Sequence, residues 1–212
     1  MWKCNQKKIK ELEIKLPVDN EGEPDWKLMK EHINSLKHKP ITTQNNKTEK
    51  IDIRDWKEFR FGDYVKDDEI YKAKKYNKED LTISKTDNGI PYITRTEPNN
   101  SCEFMAIKDE YEYIEKGNAI VIGDTTSTIS YQEENFICGD HIVVIRPEWL
   151  NKYNGLFITT MLKQERFRYC YGRAFLMETI KNTKLLLPEK NGEPDWAYME
   201  KYMKSLPYGD RI

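Results

Sequence analysis

Two stretches of this chain place apolar residues at helical intervals. In each stretch the apolar positions are separated by three, four and three residues, so they fall on one face of a helix. The region between them instead carries short β-branched and aromatic runs bounded by Gly, Asn and Asp, a pattern typical of strands and turns. The helical positions are Trp26, Met29, Ile33 and Leu36 in the first stretch and Trp196, Met199, Met203 and Leu206 in the second.

Both helical stretches belong to an internal repeat. The segment Gly22-Glu23-Pro24-Asp25-Trp26 returns as Gly192-Glu193-Pro194-Asp195-Trp196, and Pro17 matches Pro188 one residue out of step. Proline followed by aspartate favours a helix start, because proline has no N–H to leave unpaired and aspartate complements the positive end of the helix dipole. Each copy is therefore predicted as a short strand, a turn and a helix. Its apolar stripe either packs on its own domain or pairs with another helix or subunit.

The region between the two copies predicts a separate mixed domain. Residues 37–50 are polar and indicate a linker. Strands are predicted at 90–94, 119–122, 128–131, 141–145 and 185–187, and a helix at 154–167. The sequence thus predicts an α+β fold in three segments: a helical copy with its linker (1–50), a twisted sheet with helices (51–188) and a second helical copy (189–212).

Composition limits the setting of the protein. The 212 residues include 35 basic and 36 acidic side chains and 38% hydrophobic residues, with no apolar stretch long enough to cross a bilayer and no apolar run at the start. A soluble, cytoplasmic protein without membrane contact is expected. The four cysteines form no CxxC pair and only three histidines are present, so no metal site is predicted.

The chain shows no strong motif for catalysis. It has no GxxxxGK[ST] loop, no GxGxxG loop and no amino-methyltransferase site. Pro24-Asp25 followed by Asp55-Trp56-Lys57 fits the loose pattern of metal-dependent nucleases, in which carboxylates hold Mg²⁺. Pro194-Asp195 recurs without the second half of that pattern, which favours helix capping over a nuclease. His141 lies in an apolar run and is interpreted as a hydrogen-bonded core histidine.

Local charge points to nucleic acid. Residues 163–184 hold six basic side chains against two acidic ones, interleaved with aromatic rings, and arginine with aromatic residues suits contact with phosphates and base edges. A second polar cluster at 94–100 directly follows a predicted strand, where loops often carry recognition. The predicted DNA contacts are Thr94, Arg95, Thr96, Lys163, Arg166, Arg168, Tyr171 and Arg173.

Five segments carry a family resemblance. They are residues 56–63 (WKEFRFGD), 89–95 (GIPYITR), 117–124 (GNAIVIGD), 136–141 (FICGDH) and 167–173 (FRYCYGR). In this order they resemble the target recognition domain of DNA specificity subunits from type I and type I-like restriction-modification systems. Members of that family usually carry two recognition domains separated by helical spacers. With one such domain between two related spacers, this chain resembles a half-length subunit or a fragment of a longer one.

The resemblance implies a non-catalytic chain that reads double-stranded DNA for its partners. Those partners would be a DNA adenine methyltransferase subunit, which holds S-adenosylmethionine, and a restriction subunit as a further candidate; no cofactor is expected in this chain. A two-fold homodimer, with the apolar helix stripes facing each other, would read an inverted-repeat target. The alternative is a truncated interaction module that binds or exchanges methyltransferase partners without reading DNA productively.

Overall fold

The computed structural model describes residues 13–36, 42–45, 50–85, 88–107, 111–169 and 172–211. The chain divides into two compact units, of which the first ends at Thr42 and the second begins at Thr43. All elements named below lie within the described ranges, and the two units are treated separately.

The first unit contains the N-terminal copy of the repeat. Val18 pairs with Pro24 across a tight turn, and helix α1 follows at Trp26–Ser35. The Asp25 side chain accepts a hydrogen bond from the backbone N of Leu28 at 2.8 Å and so caps the helix. No residue of α1 is buried. The predicted turn and helix are present.

A four-stranded antiparallel sheet forms the centre of the second unit. Its strands are β2 (Ile70–Lys72), β5 (Ala119–Gly123), β6 (Thr128–Gln132) and β8 (Ile142–Ile145), in the order β2-β8-β5-β6. Every residue of β5, β6 and β8 is buried. The sequences of β5 and β8 are almost entirely apolar, whereas β6 alternates polar and apolar residues and buries Thr128, Ser130 and Gln132 as well. The strands predicted at 119–122, 128–131 and 141–145 are thus observed, with ends shifted by one residue.

A smaller sheet carries the predicted strand at 90–94. It consists of β3 (Ile90–Ile93), β4 (Cys102–Ala106) and β7 (Ile137–Cys138), in the order β4-β3-β7. The β3–β4 pair is antiparallel and the β3–β7 pair is parallel. Since β3 ends at Ile93, Thr94 and Arg95 begin the loop that leaves this sheet.

Strand β1 (Lys57–Arg60) pairs with β9 (Lys184–Leu187), which joins two segments of the second unit that lie far apart in the sequence. Helix α2 (Lys152–Glu165) packs on β6, and the short helix α3 spans Met177–Asn182. A Cβ atom on Gly155 would lie 2.5 Å from the ring of Tyr131, so glycine is what lets α2 approach the sheet this closely. The helix predicted at 154–167 begins two residues earlier, because the Asn151 side chain caps it.

The C-terminal copy of the repeat belongs to this second unit. It forms β10 (Glu189–Lys190), β11 (Glu193–Pro194) and helix α4 (Trp196–Ser205), which packs on α2. Met199 is completely buried, and the Trp196 ring stacks on Trp149 with centroids 4.1 Å apart. The sequence left open whether this stripe packs on its own domain or pairs with a partner. Met199 packs in its own domain. For the same reason the domain continues past residue 188, where the sequence predicted a boundary.

The remaining positions of the C-terminal stripe are less covered. Met203 and Leu206 line an apolar cavity of about 270 Å³ together with Ile51, Trp56 and Phe157. Ile51 and Trp56, which follow the predicted linker, thus lie against residues of α2 and α4. This mixed arrangement of sheets and helices confirms the predicted α+β class.

Candidate nucleic-acid interface

The loop after β3 holds the first predicted cluster. Arg95 is exposed, while Thr94 and Thr96 are half-buried. The Arg95 Nη1 donates to the Thr125 hydroxyl at 2.7 Å, and the Thr126 hydroxyl donates to the Arg95 carbonyl at 3.3 Å. Arg95 is therefore held against the turn between β5 and β6, with its guanidinium at the surface.

This cluster opens onto a groove of about 750 Å³. Basic, acidic, hydroxyl and aromatic side chains all face it, so its charge is mixed. Lys75 lies 3.5 Å from Asp140, and Lys78 pairs with Glu103. The lining residues include Lys75, Tyr76, Lys78, Glu79, Tyr92, Thr94, Arg95, Thr96, Glu103, Thr126 and Asp140.

An ion pair joins the two predicted clusters. Arg166 follows α2 in the 3₁₀ turn Arg166–Arg168, and its Nη1 lies 2.9 Å from the Glu97 Oε1 in the loop after β3. The loop at 94–97 and the basic turn at 166–168, distant in sequence, therefore lie side by side. The structure thus brings together residues that the sequence suggested only as separate patches.

The other predicted contacts flank this junction. Lys163 is exposed on α2, and Arg168 is exposed with its Nε 3.1 Å from the Glu165 carboxylate. Arg173 is also exposed, in a loop fixed at its far side by the Phe175 N–H, which donates to the Asp124 carbonyl at 2.7 Å. Tyr171 lies outside the described residues.

Asp124 is a site residue that the sequence reading missed. Its side chain is 1% exposed, with Oδ1 3.1 Å from the His141 Nδ1 and Oδ2 3.5 Å from the Lys72 Nζ. Its carbonyl accepts the hydrogen bond from the Phe175 N–H, and its own N–H donates to the His141 carbonyl at 3.0 Å. Asp124 therefore ties the Arg95-bearing surface to the loop of Arg173. The Gly123-Asp124 turn is visible in the sequence, but its burial depends on β8 and the 172–176 loop.

His141 differs from its prediction. Its side chain is 42% exposed, and it precedes β8 instead of lying within the sheet. His141 is hydrogen-bonded to Asp124, so the prediction that it makes a hydrogen bond is confirmed, but the predicted core position is wrong. The apolar run begins at Ile142, and His141 occupies the turn that enters it.

Burial alters the pKa of a tyrosine that lines the groove and of a cysteine next to it. It raises the pKa of Tyr92 to about 12, and the Tyr92 hydroxyl donates to the Tyr76 carbonyl at 2.9 Å. Burial also raises the pKa of the Cys138 thiol, which lies in the core next to the lining residue Gly139, well above its usual range. Tyr92 is therefore a neutral lining residue, and the charge of the groove comes from Lys75, Lys78, Arg95, Glu79, Glu103 and Asp140.

The nuclease pattern finds another explanation in helix capping. Asp195 accepts from the backbone N of Tyr198 at 2.9 Å, as Asp25 does from Leu28. Within the described residues, no group of three His, Cys, Asp or Glu side chains is placed to hold a metal ion.

None of the helices described has the length and apolarity needed to span a membrane.

Comparison with known proteins defines the class. The profile of the type I restriction modification DNA specificity domain matches residues 53–207, and the chain belongs to this family. The match includes β1, both of the larger sheets, α2 and all of α4. The predicted resemblance to specificity subunits is confirmed.

One curated protein and one solved structure illustrate how similar this chain is to other members of the family. The specificity subunit S.BcgI of the type II restriction enzyme BgcI from Heyndrickxia coagulans is 37% identical over 139 residues, covering 60% of this chain and 40% of that protein. The crystal structure of a type I restriction-modification S subunit from M. genitalium superposes with a TM-score of 0.51 at 15% identity, covering 74% of this chain and 40% of that one. The chain thus spans about 40% of the length of these relatives.

Proposed function

We propose that the second unit reads a specific sequence in double-stranded DNA and directs a partner DNA adenine methyltransferase to it. The partner would bind S-adenosylmethionine and carry out methylation, and a restriction subunit could join the same assembly. This chain would contribute recognition without catalysis, in the cytoplasm where the DNA lies.

The observation that carries the proposal is the contact between Arg166 and Glu97. It sets the exposed Arg95 and the basic turn at 166–168 beside one groove. Arginine forks can bind guanine edges bidentately, while dispersed lysines and arginines bind phosphates. We assign base contact to Arg95 and phosphate contact to Lys163 and Arg173, because Arg95 is positioned by two hydrogen bonds and the other two are freely exposed.

Affinity capture of the tagged chain from its host tests the partner assignment. A high-salt wash removes proteins bridged only by DNA. An adenine methyltransferase retained in fixed ratio supports the proposal, and methylome sequencing of the host then gives the target. Retention of the methyltransferase without any target selectivity would instead support the interaction module.

Quantitative DNA binding tests the residue roles. Arg95→Ala should weaken target binding by about 1–3 kcal/mol and relax one base position, whereas Lys163→Ala should weaken all sequences alike and flatten the salt dependence. Arg54→Ala is the matched control, since Arg54 is an exposed arginine paired with Asp52 outside the groove. Unchanged binding by the Arg95 variant would remove the base-contact assignment.

A second recognition domain would complete the target. We propose a homodimer, because Trp26, Ile33 and Leu36 in the N-terminal copy are 48 to 69% exposed and a symmetric pair reads an inverted repeat. Light scattering of the chain, alone and with its methyltransferase, should show two copies. One copy in both samples contradicts the dimer but leaves DNA reading by a single domain intact.

A further inference from the structure

Phe167 is the most exposed large apolar side chain in the described part of the chain. Its side chain is 78% exposed, at the centre of the turn Arg166–Arg168. The neighbouring ring of Tyr169 behaves differently, because it stacks on the buried Phe175 with centroids 4.2 Å apart. Of these two rings, which are two residues apart, that of Tyr169 packs against the core and that of Phe167 is exposed to solvent.

The turn that carries Phe167 is fixed on both sides. Arg166 is anchored to Glu97, and the Tyr169 N–H donates to the Arg166 carbonyl at 3.0 Å, which closes the turn. Glu165 holds Arg168. A ring mounted on an anchored turn loses little conformational freedom on binding, so it can contribute more of its apolar contact to affinity.

The surroundings of the ring suit DNA better than an apolar protein surface. The Arg168 guanidinium carbon lies 5.3 Å from the Phe167 ring centroid, and Arg166 is the other neighbour in sequence. An aromatic ring with a guanidinium group beside it can contact a base while the positive charge lies toward the phosphates. An apolar protein partner would have to desolvate those charges.

We propose that Phe167 is a specificity-determining residue that makes an apolar contact with a base of the DNA target. This inference rests on the proposed DNA recognition function and adds a base contact to it. The ring would touch the base directly, while Arg168 keeps its position over the ring and binds backbone phosphate. Apolar side chains reach bases either at the thymine methyl group or as wedges between base steps.

Equilibrium DNA binding of the full chain, with its methyltransferase, tests the proposal. Phe167→Ala should weaken binding to the methylome-defined target roughly 10-fold or more, leave binding to random-sequence DNA and the salt slope unchanged, and leave the melting temperature unchanged because the ring is exposed. Phe167→Leu should retain part of the selectivity. Ile83→Ala is the control, since Ile83 is 58% exposed and lies outside the basic turn.

The possible outcomes separate this inference from the function on which it rests. If the unaltered assembly shows no target selectivity, the proposed function fails and the base contact fails with it. If the assembly is selective and Phe167→Ala is equally selective, only the base contact is overturned. Equal losses on target and random DNA, or loss of methyltransferase capture with DNA binding intact, would also overturn it, since they indicate backbone or protein contact.

Discussion

The two copies of the repeat have the same local structure and different surroundings. Gly22 and Gly192 have φ angles of 85° and 86°, a region that glycine adopts without strain. The backbone N of Asp25 donates to the Pro17 carbonyl at 2.9 Å, and that of Asp195 donates to the Pro188 carbonyl at 2.8 Å. The turn and the helix start are therefore nearly identical in the two units.

Burial separates the copies. Met199 is completely buried and Trp196 stacks on Trp149, whereas Met29 is half-buried and Trp26 is 69% exposed. The C-terminal stripe is covered by α2 and Trp149 of its own domain. The comparison shows that a short sequence can determine a turn and a helix, while the stabilisation gained from its apolar face depends on what lies opposite.

The largest difference is expected at the buried methionine. Met199→Ala should lower the free energy of unfolding of the second unit by about 3 kcal/mol, because it removes a large buried side chain and leaves a cavity. Met29→Ala should change stability by less than about 0.5 kcal/mol. Urea unfolding of both variants measures the two effects, and equal losses would mean that both stripes are covered.

The tryptophan pair should show a smaller contrast. Trp196→Ala removes the stacked contact with Trp149 and a half-buried ring, for a loss of about 2 kcal/mol. Trp26→Ala should have almost no effect in the monomer, because Trp26 is largely exposed. Thermal unfolding at low protein concentration measures both. A concentration-dependent loss for Trp26→Ala would locate that ring in a self-association contact.

The helix caps should respond alike in the two copies. Asp25→Ala and Asp195→Ala each remove one side-chain bond to a backbone N–H, and each should cost about 1 kcal/mol of local helix stability. Amide hydrogen exchange in the first turns of α1 and α4 reports this locally. Asparagine variants are the controls, because asparagine caps nearly as well. A loss confined to α1 would mean that tertiary contacts, not the cap, set the start of α4.

The smallest effect concerns pH. The bond from Lys204 lowers the pKa of Glu200 below its ordinary value of 4.5, with Asn151 also contributing. A lowered folded-state pKa means that the stabilisation is present above the unfolded pKa and is lost as pH falls through the folded value. The matching residue of the first copy is Lys30, which cannot make this contact. Glu200→Gln should therefore lower the urea midpoint slightly at pH 7 and not at pH 3. Lys30→Gln is the control and should show no such pH dependence. Equal effects of Glu200→Gln at both pH values would contradict the ionic contribution.

The candidate interface was partly visible in the sequence. The exposed positions of Arg95, Arg168 and Arg173 agree with their prediction as surface contacts, and their DNA contacts remain predictions. The pairing of Arg166 with Glu97 was not predictable, because it requires α2 to end beside the loop after β3. The exposed position of His141 was missed because an apolar run does not reveal which of its residues lies in the entering turn.

The sequence by itself determined the local elements and the family. Proline, aspartate and glycine specify the two turns and helix starts through φ angles and capping bonds that involve neighbouring residues, so the same letters produce the same geometry in both units. Only the tertiary structure decided that Met199 is buried, that Asp124 joins the loops around Arg95 and Arg173, and that Arg166 meets Glu97. Those outcomes depend on contacts between residues far apart in the chain, whose distances no local pattern encodes.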